Sequence, residues 1–101
     1  MMIKVTYDLA EGFRVKGHAE YAEKGNDIVC AGVTACIYTS LFNLQRAVGE
    51  GNVKFINKKD ETIVHVVTTT TSSLRIIESF VEFIERMQKQ YPSNVTIKGG
   101  K

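Results

Sequence analysis

Residues 17–34 read GHAEYAEKGNDIVCAGVT and lie between two segments whose residue patterns predict different structures. Before this stretch, two runs alternate apolar and polar side chains, and after Asp27 apolar side chains recur every three or four residues. A period of two is typical of half-buried strands, and a spacing of three to four is typical of helices. The stretch therefore marks the passage from paired strands into a helix.

Upstream of this stretch, the pattern predicts a β-hairpin. The inward positions of its two strands are apolar: Ile3, Val5, Tyr7, Phe13 and Val15. A short turn containing Gly12 separates the two runs, which is typical of a hairpin. If the alternation continues past Val15, His18 faces away from the core where the second strand ends.

Downstream, a helix is predicted to start at Asp27, since aspartate is a favoured N-cap residue. Its apolar positions keep helical spacing: Val33, Ile37, Leu41, Leu44 and Val48. Gly49 and Gly51 are expected to end it, because glycine commonly follows the last helical residue.

After Gly51, the residue pattern predicts two strands, a second helix and a last strand. The strands cover 52–58 and 61–68, and the second is apolar on both faces, so it is central or its second face is covered. The residues 68–73 are interpreted as a strand end leading into a helix over 74–90. That helix is expected to turn these side chains inward: Leu74, Ile77, Val81, Ile84 and Met87. After Pro92, Val95 and Ile97 alternate as a strand.

The order β-β-α-β-β-α-β predicts an α+β fold of two layers, with two helices packed on a mostly antiparallel sheet of about five strands. A chain of 101 residues is expected to form one domain over 1–101, because so few residues cannot build two cores. Hydrophobic residues make up 44% of it, so neither a metal nor a disulfide is needed for the core.

Charge and hydropathy narrow the function classes. The net charge is +2, from 13 basic and 11 acidic residues. The basic residues are scattered and lack interleaved aromatics, so no direct nucleic-acid binding is predicted. We find no signal peptide and no uninterrupted apolar run of the length of a membrane span. Cys30 and Cys36 would lie about 9 Å apart along one helix, too far for a disulfide. Free thiols suit a reducing cytoplasm.

Cys30 is the first candidate for chemistry. With Asp27 as the N-cap it lies in the first helical turn, where unpaired amides and the helix dipole favour a thiolate, the nucleophilic form of cysteine. An isolated helix cysteine is more often a small buried hydrophobic residue, so on position alone both interpretations stay open. Cys36 lies two turns further on and is interpreted as a core or partly exposed residue.

His18 is the second candidate. It ends a strand where an irregular loop begins, and Gly17 beside it permits close approach of the backbone. The loop, Ala19 to Asn26, spans at most about 28 Å and can return the imidazole to the helix start. A solvated surface histidine is the competing interpretation.

Asp27 and Thr34 have weaker claims. Asp27 is interpreted first as a helix cap and second as a group that orients His18. The helix-start amides could form an oxyanion hole. Thr34 lies one turn after Cys30, where its hydroxyl lines the site or bonds back to its own helix.

His65, flanked by valines in a strand, is interpreted as structural. A zinc site made of His18, Cys30, Cys36 and His65 is not expected, because no two of these ligands have a familiar close spacing.

The string from Gly17 to Thr34 resembles the signature of the ribosomal-processing cysteine protease family Prp, and the order of strands and helices agrees with that small α+β family. The resemblance implies a cysteine endopeptidase with Cys30 as nucleophile and His18 as general base. Gly17 and Asp27 match positions of the family motif, whereas Thr34 stands where the family has serine. That change retains a hydroxyl but puts tight substrate packing in doubt.

The resemblance also implies a substrate and a state of assembly. The substrate would be the N-terminal extension of a bacterial large-subunit ribosomal protein, number twenty-seven, cut after a large apolar residue. No metal or cofactor is implied. A homodimer is implied and would fit a sheet face that the helices leave uncovered. The loop Ala19 to Asn26 is expected to be mobile and to close over the substrate.

Two other functions remain open. One is a non-catalytic ribosome-associated or assembly protein that uses the loop only for binding. The other is a thiol sensor in which Cys30 is oxidised.

Overall fold

The structure is a computed structural model that describes residues 2–17 and 27–99, with Asp27 described by its backbone alone. Its elements follow the predicted order: β1 (Ile3–Asp8), β2 (Gly12–Lys16), α1 (Asp27–Val48), β3 (Val53–Lys58), β4 (Glu61–Val66), α2 (Thr71–Gln90) and β5 (Val95–Gly99). A short 3-10 turn, Glu50–Asn52, joins α1 to β3. Gly49, with a φ of 93°, follows the last residue of α1.

The five strands form one sheet in the order β3-β4-β2-β1-β5. Three neighbouring pairs are antiparallel, and β5 lies parallel to β1 with Ile3 opposite Val95. The predicted α+β fold with a mostly antiparallel sheet is therefore confirmed. The second hairpin strand predicted to be central, β4, lies between β3 and β2.

The core lies between one face of the sheet and the two helices. Val5 and Val15 face each other in the β1–β2 register and are almost fully buried. The ring of Phe13 on β2 stacks on that of Phe80 on α2, with centroids 3.7 Å apart. These contacts fix both helices to the same face, because each helix also packs against the other.

The start of α2 differs from the prediction. The helix begins at Thr71, three residues early, because the Thr70 and Ser73 side chains cap it reciprocally. Ser73 is fully buried, so its side of the helix faces the core. Leu74, one position on, is turned about 100° away and is 38% exposed, so its predicted inward position is wrong. Phe80 takes an inward place that the prediction did not assign.

The strands of the second hairpin are shorter than predicted, Val53–Lys58 and Glu61–Val66. Val67 follows the end of β4 and is 50% exposed. Ile63, on the outward face of β4, is half-buried. Of the two, Ile63 lies on the outward face of the sheet, which no described helix covers, and Val67 lies beyond the end of the strand.

By length and composition, α1 over Ile28–Val48 is apolar enough to cross a membrane, contrary to the expectation from its sequence. A core helix of a folded domain has the same composition. The predicted inward positions Val33, Ile37, Leu41 and Leu44 are buried, and they form part of the core cluster. In this fold, one side of α1 lies in the core, whereas Ile28, Tyr38 and Phe42 elsewhere on the helix are exposed.

Candidate active site

Cys30 is the fourth residue of α1 and lies in the first turn, as predicted. Its side chain is 8% exposed and belongs to the edge of the core cluster. The first-turn amides of a helix have no partner within the helix and carry its positive dipole end. The position can therefore stabilise negative charge beside a thiol shielded from bulk water.

The approach of α2 fixes the start of α1. A Cβ atom on Gly32 would lie 3.2 Å from the methyl carbon of Met87, near the end of α2. Because glycine leaves that space empty, the first turns of α1 pack closely on the last turns of α2. Gly32 was not among the predicted site residues, although a glycine inside a helical pattern is a signal of close packing.

Gly17, the residue before His18, fixes the end of β2. Its φ is 78°, in the left-handed region, and a Cβ atom there would overlap the Met2 carbonyl oxygen. Its backbone N–H donates to the Asp60 carbonyl oxygen at 3.0 Å. The close backbone approach predicted for Gly17 is confirmed.

Several predicted features lie outside the described residues. They are His18, the loop Ala19 to Asn26 and the Asp27 side chain. The backbone of Asp27 is the first residue of α1. The helix therefore starts where it was predicted, but Asp27 lies one position after the place of an N-cap residue, which Thr70 occupies before Thr71 in α2. The pairing of His18 with Cys30, the closing loop and the choice between cap and orienting group for Asp27 all stay predictions.

Thr34 lies one helical turn after Cys30 and is half-buried. Helical residues four apart share a face. Its place next to the nucleophile position therefore agrees with the prediction, and the role of its hydroxyl stays a prediction.

Cys36 has a different environment. The thiol is half-buried, and its burial raises its pKa from 9.0 to about 11, because burial disfavours the charged thiolate. A hydrogen bond with Ser40 acts in the opposite direction and is the smaller effect. The interpretation of Cys36 as a core or partly exposed residue is confirmed, and both cysteines are free of disulfides.

His65 lies in β4 opposite Gly12 and Lys54, with a half-buried side chain. Within residues 2–17 and 27–99, no three His, Cys, Asp or Glu residues cluster where they could hold a metal ion. His18 is not among these residues, so the expectation against a zinc site stays a prediction.

A comparison with known protein families matches residues 2–96 to the family described as cysteine protease Prp. A relative in Bacillus subtilis, named ribosomal processing cysteine protease Prp, is 28% identical over 93 residues. The match covers 84% of this chain and 81% of that protein.

Solved structures share the fold. A Streptococcus mutans protein has a TM-score of 0.76 at 22% identity, over 97% of this chain and 93% of that chain. An essential ribosomal processing protease Prp from Staphylococcus aureus, in complex with a substrate peptide, has a TM-score of 0.74 at 17% identity. That match covers 98% of this chain and 100% of the other.

Proposed function

The chain belongs to the cysteine protease Prp family, and from this membership we propose that Cys30 is its nucleophile and His18 its general base. The family makes the chain a cysteine protease involved in ribosomal processing. The observation that supports Cys30 is its place in the first turn of α1, beside the amides of the helix start. Cys36 lies nearly two turns further on, out of reach of those amides, and burial raises the pKa of its thiol.

The proposed reaction is acyl transfer. His18 takes the proton of the Cys30 thiol, and the sulfur attacks the carbonyl carbon of the scissile peptide bond. Amides at the start of α1 stabilise the negative oxygen. His18 then protonates the leaving amine as the C–N bond breaks, and a thioester remains on Cys30. Water attacks the thioester, which releases the new carboxylate and restores the thiol.

The supporting residues have separate roles in this proposal. Gly17 places His18, because its left-handed backbone and its contact with Met2 fix the end of β2. Asp27 caps α1 and keeps the start of the helix in place. Thr34 presents a hydroxyl to the substrate on the face of Cys30. The loop Ala19 to Asn26 closes over the bound peptide.

The proposed substrate is the N-terminal extension of large-subunit ribosomal protein number twenty-seven, cut after a large apolar residue. Support comes from the name of the Bacillus subtilis relative, which is a ribosomal processing protease. The Staphylococcus aureus relative was solved with a substrate peptide, so a peptide substrate suits this fold. The reaction as written uses no metal or cofactor.

The proposed setting is cytoplasmic, where free cysteines persist. The proposed state is a homodimer. Sedimentation equilibrium is expected to give twice the chain mass of 11.3 kDa. A mass of one chain across the concentration range of the cleavage assay would contradict the dimer.

The test of the substrate compares two forms of the ribosomal protein, one with its N-terminal extension and one starting at the mature residue. The purified protease is expected to shorten the extended form to one product mass and to leave the mature form unchanged. Tight binding of the extended form without any change in its mass would instead support the non-catalytic binding protein.

A further inference from the structure

The outward face of the sheet, formed by the side chains of all five strands that point away from α1 and α2, is here called the open face. No described helix covers it. Ile56 on β3 is 42% exposed there, although it is apolar. The face is therefore a broad surface available to a partner.

The open face gathers basic residues that are far apart in the sequence. Opposed residues in neighbouring strands point to the same side of a sheet, and the register assigns six exposed cations to this side: Lys4, Arg14, Lys16, Lys54, Lys58 and Lys98. Asp8 and Glu61 are the acidic residues among its described strands. The face thus carries +4 (6 minus 2), whereas the whole chain carries +2, so the rest of the molecule carries −2.

The two acidic residues of this face are engaged with groups other than its lysines. Glu61 is paired with Arg14 at 3.2 Å. The Asp8 carboxylate accepts the backbone N–H groups of Ala10 and Glu11, at 2.9 and 3.1 Å. Within the described part of the chain, the five lysines make no ion pair with a carboxylate. All five are exposed, so their ammonium groups can reach an anionic partner.

The positive charge of the open face determines which kind of partner it favours. A second copy docked by the same face would oppose +4 to +4, because a two-fold interface joins a patch to itself, and like charges across an interface are unfavourable. The proposed homodimer therefore uses another surface, and not the uncovered sheet face that was first expected to fit it. The basic residues reach from β3 at one edge to β5 at the other, about 19 Å across five strands. That width spans several phosphates of a nucleic-acid backbone.

We propose that the open face binds the phosphodiester backbone of RNA without reading its sequence. No Phe, Tyr or Trp of the described strands points outward, and the imidazole of His65 on this face is half-buried, so bases have little ring surface to stack on. Contacts between lysine and phosphate therefore supply the affinity. The choice of RNA over DNA rests on the proposed function, since the proposed substrate is a ribosomal protein. The basic residues are scattered along the sequence, and for that reason no nucleic-acid binding was predicted. The fold brings six of them together on one face of the sheet.

The test measures the fluorescence anisotropy of a labelled RNA hairpin with the wild type and two triple variants, from about 50 to 200 mM salt. The face variant is Lys4→Gln/Lys54→Gln/Lys98→Gln. The control variant, Arg46→Gln/Arg75→Gln/Lys89→Gln, removes the same charge from exposed positions of α1 and α2. Circular dichroism and thermal melting check that all three proteins are folded alike.

The wild type is expected to bind with an affinity that falls steeply as salt rises, because binding releases counterions from the phosphates. The face variant should bind about tenfold more weakly or worse, and its slope of log affinity against log salt should fall by about 2 to 3, since each phosphate contact contributes about 0.9 in a duplex. The control variant should stay within about twofold of the wild type.

Equal weakening in the face and control variants would overturn the proposal, as would no RNA binding by the wild type. Tighter binding to a DNA hairpin of the same length, or to polyglutamate, would overturn the choice of RNA. Cleavage of the ribosomal protein is measured separately with the same variants. If the protein binds RNA but does not cleave the ribosomal protein, the proposed substrate is wrong. The proposal that the open face binds RNA would still stand.

Discussion

Cys30 and Cys36 lie in the same helix, and the sequence alone predicts a different role for each. The prediction was possible because helix position follows from local periodicity and from Asp27. The burial of each thiol depends on neighbours that are distant in the sequence, so local pattern could not supply it. The structure adds that Cys36 is half-buried with a pKa of about 11.

Thiol alkylation separates the two cysteines. At pH 7.5 the Cys36 thiol is protonated, because burial raises its pKa to about 11, and a protonated thiol reacts slowly. Iodoacetamide followed by peptide mass mapping should therefore modify Cys30 first, and Cys36 should gain reactivity only as the pH approaches 11. Cys36→Ser should keep the cleavage rate. Preferential labelling of Cys36 at pH 7.5 would contradict the assignment.

Gly17→Ala tests how the site is held. Alanine at a φ of 78° is strained, and its Cβ atom would overlap the Met2 carbonyl oxygen. We expect a loss of about 1–3 kcal/mol in the free energy of unfolding and a lower kcat, because β2 then misplaces His18. Urea unfolding and initial rates measure both effects.

Gly51→Ala is the matched control, since a Cβ atom at Gly51 meets no atom within 4 Å. It should leave stability and rate close to those of the wild type. If Gly17→Ala behaves like Gly51→Ala, the end of β2 is not held as described.

At the level of elements, sequence patterns predicted the order of strands and helices well, because alternation and helical spacing are local signals. They failed at the start of α2. There Ser73 lies in the core as part of a cap, whereas the sequence favoured the more apolar Leu74. A buried polar residue that satisfies a helix end does not appear in a hydrophobic pattern.

Thr70→Ala tests that cap. The Thr70 hydroxyl accepts the Ser73 backbone N–H at 3.0 Å, and its removal should cost about 1 kcal/mol of unfolding free energy. Thr71→Ala, at the exposed first residue of α2, should cost less. Urea denaturation measures both variants. Equal losses would show that the hydroxyl of Thr70 does not cap the helix.

At the level of the whole molecule, strand pairing was beyond sequence patterns. The parallel contact of β5 with β1 joins residues about ninety positions apart, such as Ile3 and Val95. Together with the three antiparallel pairings, it gathers the lysines of the open face. Charge that is scattered along the chain is therefore concentrated by topology, and the RNA-binding experiment tests the consequence.

The family match covers residues 2–96. It therefore includes both the described fold and the stretch from Gly17 to Thr34. The described residues contribute the position of Cys30, the close approach at Gly17 and the helix start. The role of His18 stays a prediction from the resemblance of residues 17–34 to the family signature.

The most direct test of the catalytic pair is the intact mass of the protein, quenched in acid during turnover of the extended ribosomal protein. The wild type is expected to carry one added acyl group, mapped to Cys30 as a thioester. Cys30→Ala should carry none and cleave nothing, His18→Ala should form it far more slowly, and Cys36→Ala should behave as the wild type. Cleavage that persists in a folded Cys30→Ala variant, or an acyl group on another residue, would contradict the account.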